Sequence, residues 1–242
     1  MKQLKLTIIT VFAFLGTTHA QWFGNKKVKG NGNVTQITRS TSDYDAIKCA
    51  GSFDYILVAG TEGKITIEGE ENLLKYIVTE VKDDKLIVKT ENGISLSTSW
   101  NKTIKISIPF KDISQISLSG SGDLWNTDSI ATSRLDVSLA GSGDIVLDIK
   151  THNVEGSIAG SGDLTLKGIT EQLDARVSGS GDFHGFELQS DHTVVSVTGS
   201  GDASVISNES IKARVSGSGD IAYKGNPKKE DTKVAGSGSI SN

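Results

Sequence analysis

The sequence predicts an all-β protein built mainly as a parallel β-solenoid, also called a β-helix. A four-residue motif, Gly-Ser-Gly-Asp, recurs along the second half of the chain at steps of 21, 19, 19, 20, 18 and 19 residues. Apolar residues around each copy alternate with polar ones at a period of two, which is typical of strands. A unit of nearly fixed length that repeats in series is typical of a solenoid.

Each copy of the motif has the same apolar surroundings. The copies end at Asp123, Asp144, Asp163, Asp182, Asp202, Asp220 and, with serine in place of aspartate, Ser239. An apolar residue stands five positions before each of these and one position after it, as Ile158 and Leu164 do around the third copy. By this parity both glycines are predicted to face inward, and the serine and aspartate outward. Inward glycines among branched aliphatic residues indicate a tight corner.

Each unit is predicted to form one coil: a strand, a glycine corner, a second strand and a more variable return. About 19 residues at roughly 3.3 Å per residue trace a circuit of about 60 Å. Coils stacked about 4.8 Å apart bury rows of Leu, Ile and Val that a single coil leaves exposed. Successive parallel strands favour right-handed crossovers, so a right-handed solenoid is expected.

Four regions are expected along the chain. Residues 1–20 are typical of a cleaved signal peptide, with two lysines before an apolar run and a small-residue cleavage site. Residues 21–33 are rich in Gly, Asn and Lys and are expected to form a flexible lead-in. Residues 34–110 carry short alternating strands and are expected to form a less regular β-rich cap, and residues 111–242 the regular coils.

Several local features are expected within the cap. Gly51-Ser52-Phe53-Asp54 resembles an early copy of the motif, so the solenoid is expected to begin there. Residues 70–76 are expected to form one helical turn, and Asp83-Asp84 and Asn92-Gly93 are expected turn centres. Pro109 ends a strand and marks the expected seam between the cap and the regular coils.

Composition limits the functional classes. Without Lys2 and Lys5 the 25 basic residues fall to 23, and against 29 acidic residues the formal net charge of the mature chain is −6. This balance argues against binding nucleic acid or anionic lipid through bulk charge, because phosphate binding depends on clustered basic residues. No apolar run after the signal peptide is long enough to span a bilayer, so no transmembrane anchor is expected. The single cysteine, Cys49, is expected to be a buried, inert thiol.

Four features together resemble a known bacterial family. They are the stretch from Asp45-Ala46-Ile47 to Tyr55, the Gly69-Glu70-Glu71-Asn72-Leu73 stretch, the Ile106-Ser107-Ile108-Pro109 strand and the serial Gly-Ser-Gly-Asp copies. In these features the chain is similar to the head GIN domain proteins, a family of putative auto-transporter adhesins. The resemblance covers nearly all of the mature chain and implies an exported all-β protein of Gram-negative bacteria.

The sequence contains no strong catalytic constellation. His152, His184 and His192 fall at different phases of different coils, and each is expected to be a solvated surface residue. The arginines are expected to be scattered over the fold; they are Arg39, Arg134, Arg176 and Arg214. No catalytic residue, no cofactor and no metal ligand is therefore assigned.

The candidate functional surface is an outer ladder formed by the polar residues of the motif. Its carboxylates are Asp123, Asp144, Asp163, Asp182, Asp202 and Asp220, and its hydroxyls are Ser121, Ser142, Ser161, Ser180, Ser200 and Ser218. Carboxylates about 4.8 Å apart repel by roughly 1 kcal/mol in water. Two alternatives would offset this repulsion: backbone N–H groups at the corner, or a row of bound cations.

For the serines and for the nearby aromatic residues, a structural role and a role in glycan binding both remain as alternatives. The serines form either a solvated small-residue ladder or a flat hydroxyl surface that meets glycans. Trp125, Phe186 and Tyr223 either stack on sugar rings or pack into the core.

The leading functional prediction is an exported, non-enzymatic adhesin-like module that binds a glycan or another cell-surface component. A rigid repetitive stack, a polar outer face and the lack of catalytic motifs favour it. One alternative is a glycan-active enzyme on a β-helix scaffold, and a second is a purely structural envelope protein. The expected location is the periplasm, the cell surface or the extracellular space, and the oligomeric state is left open.

Overall fold

The computed structural model describes residues 25–242 and shows an all-β chain with one short helix. The predicted signal peptide and the first residues of the predicted lead-in lie outside the described part of the chain. Within that part, no helix is long and apolar enough to cross a membrane.

The elements fall into a cap and a series of coils. The first elements are β1 (Lys26–Lys29), β2 (Val34–Ser40), β3 (Ala46–Gly51), β4 (Asp54–Ala59), β5 (Lys64–Glu70), α1 (Glu71–Leu74), β6 (Ile77–Lys82), β7 (Lys85–Thr90), β8 (Ile94–Ser97) and β9 (Lys105–Phe110). The coils follow as β10 (Gln115–Gly120), β11 (Leu124–Asn126), β12 (Ile130–Gly141), β13 (Ile145–Gly160), β14 (Leu164–Gly179), β15 (Phe183–Gly199), β16 (Ala203–Ile206), β17 (Ser210–Gly217), β18 (Ile221–Lys224), β19 (Lys229–Gly236) and β20 (Ile240–Ser241).

The strands after residue 110 pair in parallel, with equal positions of the repeat in register. Gly141 pairs with Gly160, and Gly160 with Gly179, so each motif lies on the motif of the preceding coil. Side chains along each strand alternate between buried and exposed, and the buried rows consist mainly of Leu, Ile and Val. This confirms the predicted all-β solenoid, which makes about seven turns over residues 115–241.

Each coil has two faces and two corners. The motif forms the first corner, for example at residues 160–163. The second corner lies inside the long strands. In β14 the alternation of buried side chains changes phase between Thr170 and Leu173. The pairing with the neighbouring strands is interrupted at the same place. The interior between the two faces is therefore only about one side chain deep on each side.

The solenoid begins at β3 and β4, before residue 111. Gly51 pairs with Gly120 in parallel register, as expected for a first copy of the motif at residues 51–54. On the other side of this coil, β7 pairs with β3 and β9 with β4, again in parallel. Antiparallel strands then close the stack, with β6 beside β7, β5 beside β9 and β2 beside β5. Pro109, the expected seam, thus lies in a strand that is continuous with the stack.

Two local features of the cap agree with the sequence patterns. The helix α1 lies inside the predicted helical turn and buries Leu73 and Leu74. The hairpin of β6 and β7 turns at Asp83-Asp84, whose φ angles of 51° and 56° are those of a two-residue hairpin loop.

The described part of the lead-in is anchored, whereas residues 21–33 were expected to be flexible. The strand β1 pairs with β8 in a separate two-stranded parallel sheet. The carboxylate of Glu70 accepts the N–H of Gly32 at 2.6 Å, and the amide of Asn72 donates to the carbonyl of Lys29 at 2.7 Å. These partners are distant in sequence, so the local composition did not reveal them.

The core runs from the cap to the last coil. Cys49 is buried as expected, and burial raises the pKa of its thiol well above the ordinary value. The last coil covers Val215 of the coil before it, but β19 is itself exposed throughout and leaves Val234 40% exposed. The C-terminal end of the stack is therefore more open than the capped end.

Candidate functional site

The first corner is shaped by the close approach of successive coils. The first glycine of every Gly-Ser-Gly-Asp copy has a positive φ, from 119° at Gly120 to 141° at Gly160. Its carbonyl accepts two N–H groups of the next coil: that of Gly141 accepts from Ser161 at 2.8 Å and from Gly162 at 3.1 Å. Because backbone packs on backbone here, a Cβ at Gly160 would lie 2.2 Å from the oxygen of Gly141.

The prediction that both glycines face inward is correct only for the second one. Gly162 is buried, and a Cβ there would lie 2.0 Å from the oxygen of Gly143. Gly160 is half-buried, because the chain turns at this residue with a positive φ and leaves the alternation of the strand. The glycines therefore serve the structure of the corner.

The aspartates form a continuous ladder along this corner, in which Oδ1 of each accepts the backbone N–H of the aspartate in the next coil. The N···O distances are 3.1 Å for Asp144 on Asp123, 2.9 Å for Asp163 on Asp144, 2.8 Å for Asp182 on Asp163, 2.7 Å for Asp202 on Asp182 and 2.8 Å for Asp220 on Asp202. Ser239 donates both its N–H and its hydroxyl to Asp220. Backbone donors thus hold the carboxylates, and the donor belongs to the neighbouring coil.

One place on the ladder groups side chains of the kind that bind metals. Oxygens of Asp163 and Asp182 and a ring nitrogen of His184 lie within 4.8 Å of one another. His184 is a surface residue, as expected, but it lies beside the ladder because residues two apart on a strand share a face. The equivalent positions of the other coils carry Trp125, Val146, Thr165, Ser204 and Ala222. A cation row along the whole ladder would therefore lack this third ligand.

The serines of the motif lie beside the aspartates and face solvent. Exposed positions are found for Ser121, Ser142, Ser161, Ser180, Ser200 and Ser218, as the alternation predicted. At the capped end the row continues to Ser52, whose Oγ lies 3.0 Å from Oγ of Ser121. The first corner thus presents a narrow, repetitive row of hydroxyl groups.

The second corner contains a row of buried hydroxyl groups that was not predicted. Thr151, Thr170, Ser190 and Ser207 lie on successive coils and are at most 8% exposed. Oγ1 of Thr151 donates to Oγ1 of Thr170 at 3.0 Å, and the hydroxyl of Thr170 lies 3.1 Å from the carbonyl of Gln172. Such bonds satisfy the polar groups and hold the bend where the strand ladder is interrupted.

An open groove with a volume of about 580 Å³ follows the outside of the second corner across several coils. Lys150, Ile169 and Gln189 form one row along it, each in register with the next. Ile169 is 52% exposed and gives the row an apolar centre. In the next row, Nδ1 of His152 lies 2.7 Å from Oε1 of Glu171. The groove therefore offers donors, acceptors and one apolar surface at the spacing of the coils.

A charged network lies beside this groove and corrects, for two of the four arginines, the expectation that they are scattered. Arg134 and Arg176, from different coils, both contact the carboxylate of Glu155, and Arg176 also contacts Asp174 at 2.5 Å. Burial raises the pKa of Asp174, with a smaller opposing effect from Arg176 and a further increase from Glu155. Oδ1 of Asp174 is buried without a hydrogen-bond partner among the described residues.

The aromatic residues chosen from the sequence are poor sugar platforms. Tyr223 is 7% exposed, Trp125 is half-buried, and Phe186 lies under the ammonium of Lys224, 4.0 Å from the ring centroid. The most exposed large apolar side chain in the described part of the chain is Trp100, at 96%. Its sequence signal was present but not used: a lone tryptophan in the polar run of residues 97–103.

The fold and the groove define a β-solenoid protein with a repetitive polar surface and an open, elongated groove. The family model for the head GIN domain, described as a putative auto-transporter adhesin, matches residues 43–227. The chain belongs to this family, as its motifs indicated. No curated protein matches the sequence.

Solved structures share the fold over almost their whole length. A putative adhesin from Bacteroides fragilis is 23% identical, with a TM-score of 0.83, and the match covers 89% of this chain and 99% of that one. A protein of Parabacteroides distasonis described as a putative lipid binding protein is 27% identical, with a TM-score of 0.74 and the same coverage. A putative adhesin from Parabacteroides merdae is 24% identical, with a TM-score of 0.71, covering 89% and 98%.

Proposed function

We propose that this protein is an exported, non-enzymatic adhesin-like module that binds a glycan or a similar surface polymer along the groove of the second corner. Membership of a family of putative adhesins supports the general class. A polymer as the ligand and the groove as its binding site are proposed in addition to this general class.

The observation that carries the proposal is the periodic arrangement of groove side chains. Lys150, Ile169 and Gln189 repeat a single position of the coil, so neighbouring side chains are about 4.8 Å apart. A sugar ring has a size comparable with that spacing, and it presents hydroxyls at its edge and an apolar face. A polymer laid along the solenoid axis would therefore meet one such set of groups in each coil.

A glycan array with matched variants tests this proposal. Lys150→Ala combined with Gln189→Ala removes two exposed groove side chains and is expected to weaken glycan binding strongly while leaving the melting temperature unchanged. Ser161→Ala combined with Ser180→Ala, on the opposite corner, is the control and should bind as the parent does. Equal binding by both variants would exclude the groove, and a lack of any glycan ligand would favour the purely structural alternative.

The alternative of a glycan-active enzyme is favoured by the charged network beside the groove. Glycoside hydrolysis uses two carboxyl groups, one of them with a raised pKa as general acid. Asp174 has a raised pKa and lies in one network with Glu155. Incubation of the array ligands with the parent protein and with Asp174→Asn, followed by product analysis, decides this point. Turnover that is lost in the variant would replace the adhesin proposal.

The proposal includes export through a cleaved signal peptide, to the periplasm or the cell surface. The pattern of residues 1–20 supports it. Cell fractionation with N-terminal sequencing of the purified protein tests it, and the expected first residue is Gln21. A full-length protein in the cytoplasm would contradict the proposal.

A further inference from the structure

Trp100 is unusually placed for a tryptophan. Its side chain is 96% exposed, and it projects from the segment between β8 and β9 at the capped end of the solenoid. Burial of so large an apolar side chain is strongly favourable, so most tryptophans lie at least partly in a core. Tryptophan is also enriched at interfaces and in membrane-interface belts, so a fully exposed one on a hydrogen-bonded turn points to a contact surface.

The turn that carries Trp100 is held in place by a buried carboxylate. Glu70 is 0% exposed, and its carboxylate accepts the N–H of Ser99 at 2.8 Å and the hydroxyl of Ser99 at 2.6 Å. The N–H of Lys102 donates to the carbonyl of Ser99 at 3.1 Å and closes the turn, with Asn101 at a φ of 58°. Hydrogen bonds within the fold therefore already order the turn that carries Trp100, so little further conformational entropy is lost when it binds a partner.

The ionised form of Glu70 suits this role. Burial alone would raise its pKa, but the hydroxyl and N–H of Ser99 and the N–H of Gly32 outweigh burial and lower it. The same carboxylate therefore joins the Trp100 turn to the segment after β1, which brings β1 and the turn to one edge of the cap.

Lysines are concentrated at this edge, in contrast to the acidic balance of the chain. Lys27 and Lys29 lie exposed on β1, and Lys29 pairs with Ser97, three residues before the tryptophan. Lys102 follows in the turn itself and is exposed. Glu71, at the start of α1, is the exposed acidic residue that follows Glu70 in sequence. The edge therefore combines one projecting indole with a locally positive surface.

We propose that the Trp100 turn docks this protein on the surface of an anionic lipid bilayer, with the indole in the headgroup region and the lysines on lipid phosphates. Tryptophan prefers the membrane–water interface, and basic residues next to it are attracted by anionic lipids. The convex shape favours a bilayer over a glycan. A sugar ring would touch one face of a projecting indole that has no walls around it, whereas a soft planar interface surrounds the whole side chain.

Flotation of the mature chain with lipid vesicles tests this proposal. The protein is expected to bind vesicles of phosphatidylcholine mixed with phosphatidylglycerol more tightly than vesicles of phosphatidylcholine alone. Trp100→Ala should weaken binding to the mixed vesicles by about tenfold. Lys27→Glu, Lys29→Glu and Lys102→Glu should each weaken it by about fivefold or more, since each basic residue contributes at the membrane surface.

Matched controls separate this effect from loss of fold or general stickiness. Phe186→Ala changes another exposed aromatic residue and should bind vesicles as the parent does. All of the variants compared by flotation keep Trp22 and Phe23, so any contribution of these residues is common to them. With Trp22→Phe and Trp125→Phe as background, the fluorescence of Trp100 should shift to the blue on addition of mixed vesicles.

Three outcomes would overturn the proposal. They are the absence of binding to mixed vesicles, equal binding by Trp100→Ala and the parent, and an unchanged Trp100 spectrum in the presence of bound vesicles. Loss of a glycan ligand in Trp100→Ala without any vesicle binding would assign the turn to glycan recognition. The Lys150→Ala and Gln189→Ala variant should float like the parent, so this test is independent of the groove.

Discussion

The two corners of the coil solve the same problem, reversing the chain, by different means. At the first corner backbone packs on backbone, and the repeated glycines are required by a positive φ and by oxygens of the coil beneath. At the second corner buried hydroxyls hold the bend, and the residues around them differ from coil to coil. The residues of the first corner are therefore constrained by the backbone geometry. The residues of the second corner, which also forms the groove, can vary and are available for ligand recognition.

The largest difference is expected when a side chain is added at the first corner. Gly162→Val would place its Cβ 2.0 Å from the oxygen of Gly143, and this backbone cannot move without shifting the coil. We expect a loss of several kcal/mol of unfolding free energy, against well under 1 kcal/mol for the adjacent Ser161→Ala. Thermal unfolding followed by circular dichroism measures both. Equal melting shifts for the two variants would refute the backbone account of this corner.

At the second corner a smaller, side-chain effect is expected. Thr170→Val keeps the shape but removes a hydroxyl that bonds Thr151 and lies within hydrogen-bond distance of the carbonyls of His152 and Gln172. Leaving these partners unsatisfied should cost about 1–3 kcal/mol, and Thr170→Ser should recover most of that loss. Denaturant unfolding of the three proteins measures the differences. If the serine variant is no more stable than the valine variant, the hydroxyl bonds do not hold the bend.

The ladder aspartates should tolerate loss of charge, because backbone N–H groups hold their carboxylates. In Asp163→Asn the amide oxygen still accepts the N–H of Asp182, so a loss below about 1 kcal/mol is expected. Treatment with EDTA should leave the melting temperature of the parent unchanged. The contrary result would be a rise of several degrees with millimolar calcium that disappears in Asp144→Asn or Asp163→Asn.

The smallest effect concerns a charge near the second corner and depends on pH. Burial raises the pKa of Asp174 in the folded state, so folding favours the protonated carboxyl. The resulting stability is present at low pH and is lost as the pH rises through the folded-state pKa. Asp174→Asn imitates the neutral form and should melt slightly higher than the parent at neutral pH. The gap should close as the pH falls through the raised pKa. A variant that melts lower than the parent at neutral pH would show that the contact with Arg176 dominates.

The first corner could be predicted from the sequence and the second could not, for a physical reason. Glycine at a fixed step reports a backbone constraint, so Gly160 and Gly162 identify their corner without any structure. Thr170 and Ser190 belong to residue types that are usually exposed, and nothing local indicates that they lie inside. Only the phase change between Thr170 and Leu173 marks the bend, and it is evident once the strands are paired.

The cap shows the same limit over longer distances. The strands β5 and β9 alternate as predicted, but their antiparallel pairing with each other depends on contacts that no short pattern encodes. The role of Glu70 was hidden in the same way, because its partners Gly32 and Ser99 are 38 and 29 residues away. The exposure of Trp100 was not predicted because a tryptophan is expected to pack in a core, whereas this one is 96% exposed.

The ladder bonds also give the solenoid directional mechanical properties. The bonds from each aspartate to the next, like the strand bonds between coils, run along the stacking axis. Tension along this axis acts on all coil boundaries in series, so the weakest boundary yields first and coils should peel off singly, each adding roughly 60 Å of chain in force spectroscopy. Tension across the axis loads several coils together and should meet higher resistance. A module attached at one end and gripped along its side would therefore hold its form under shear flow.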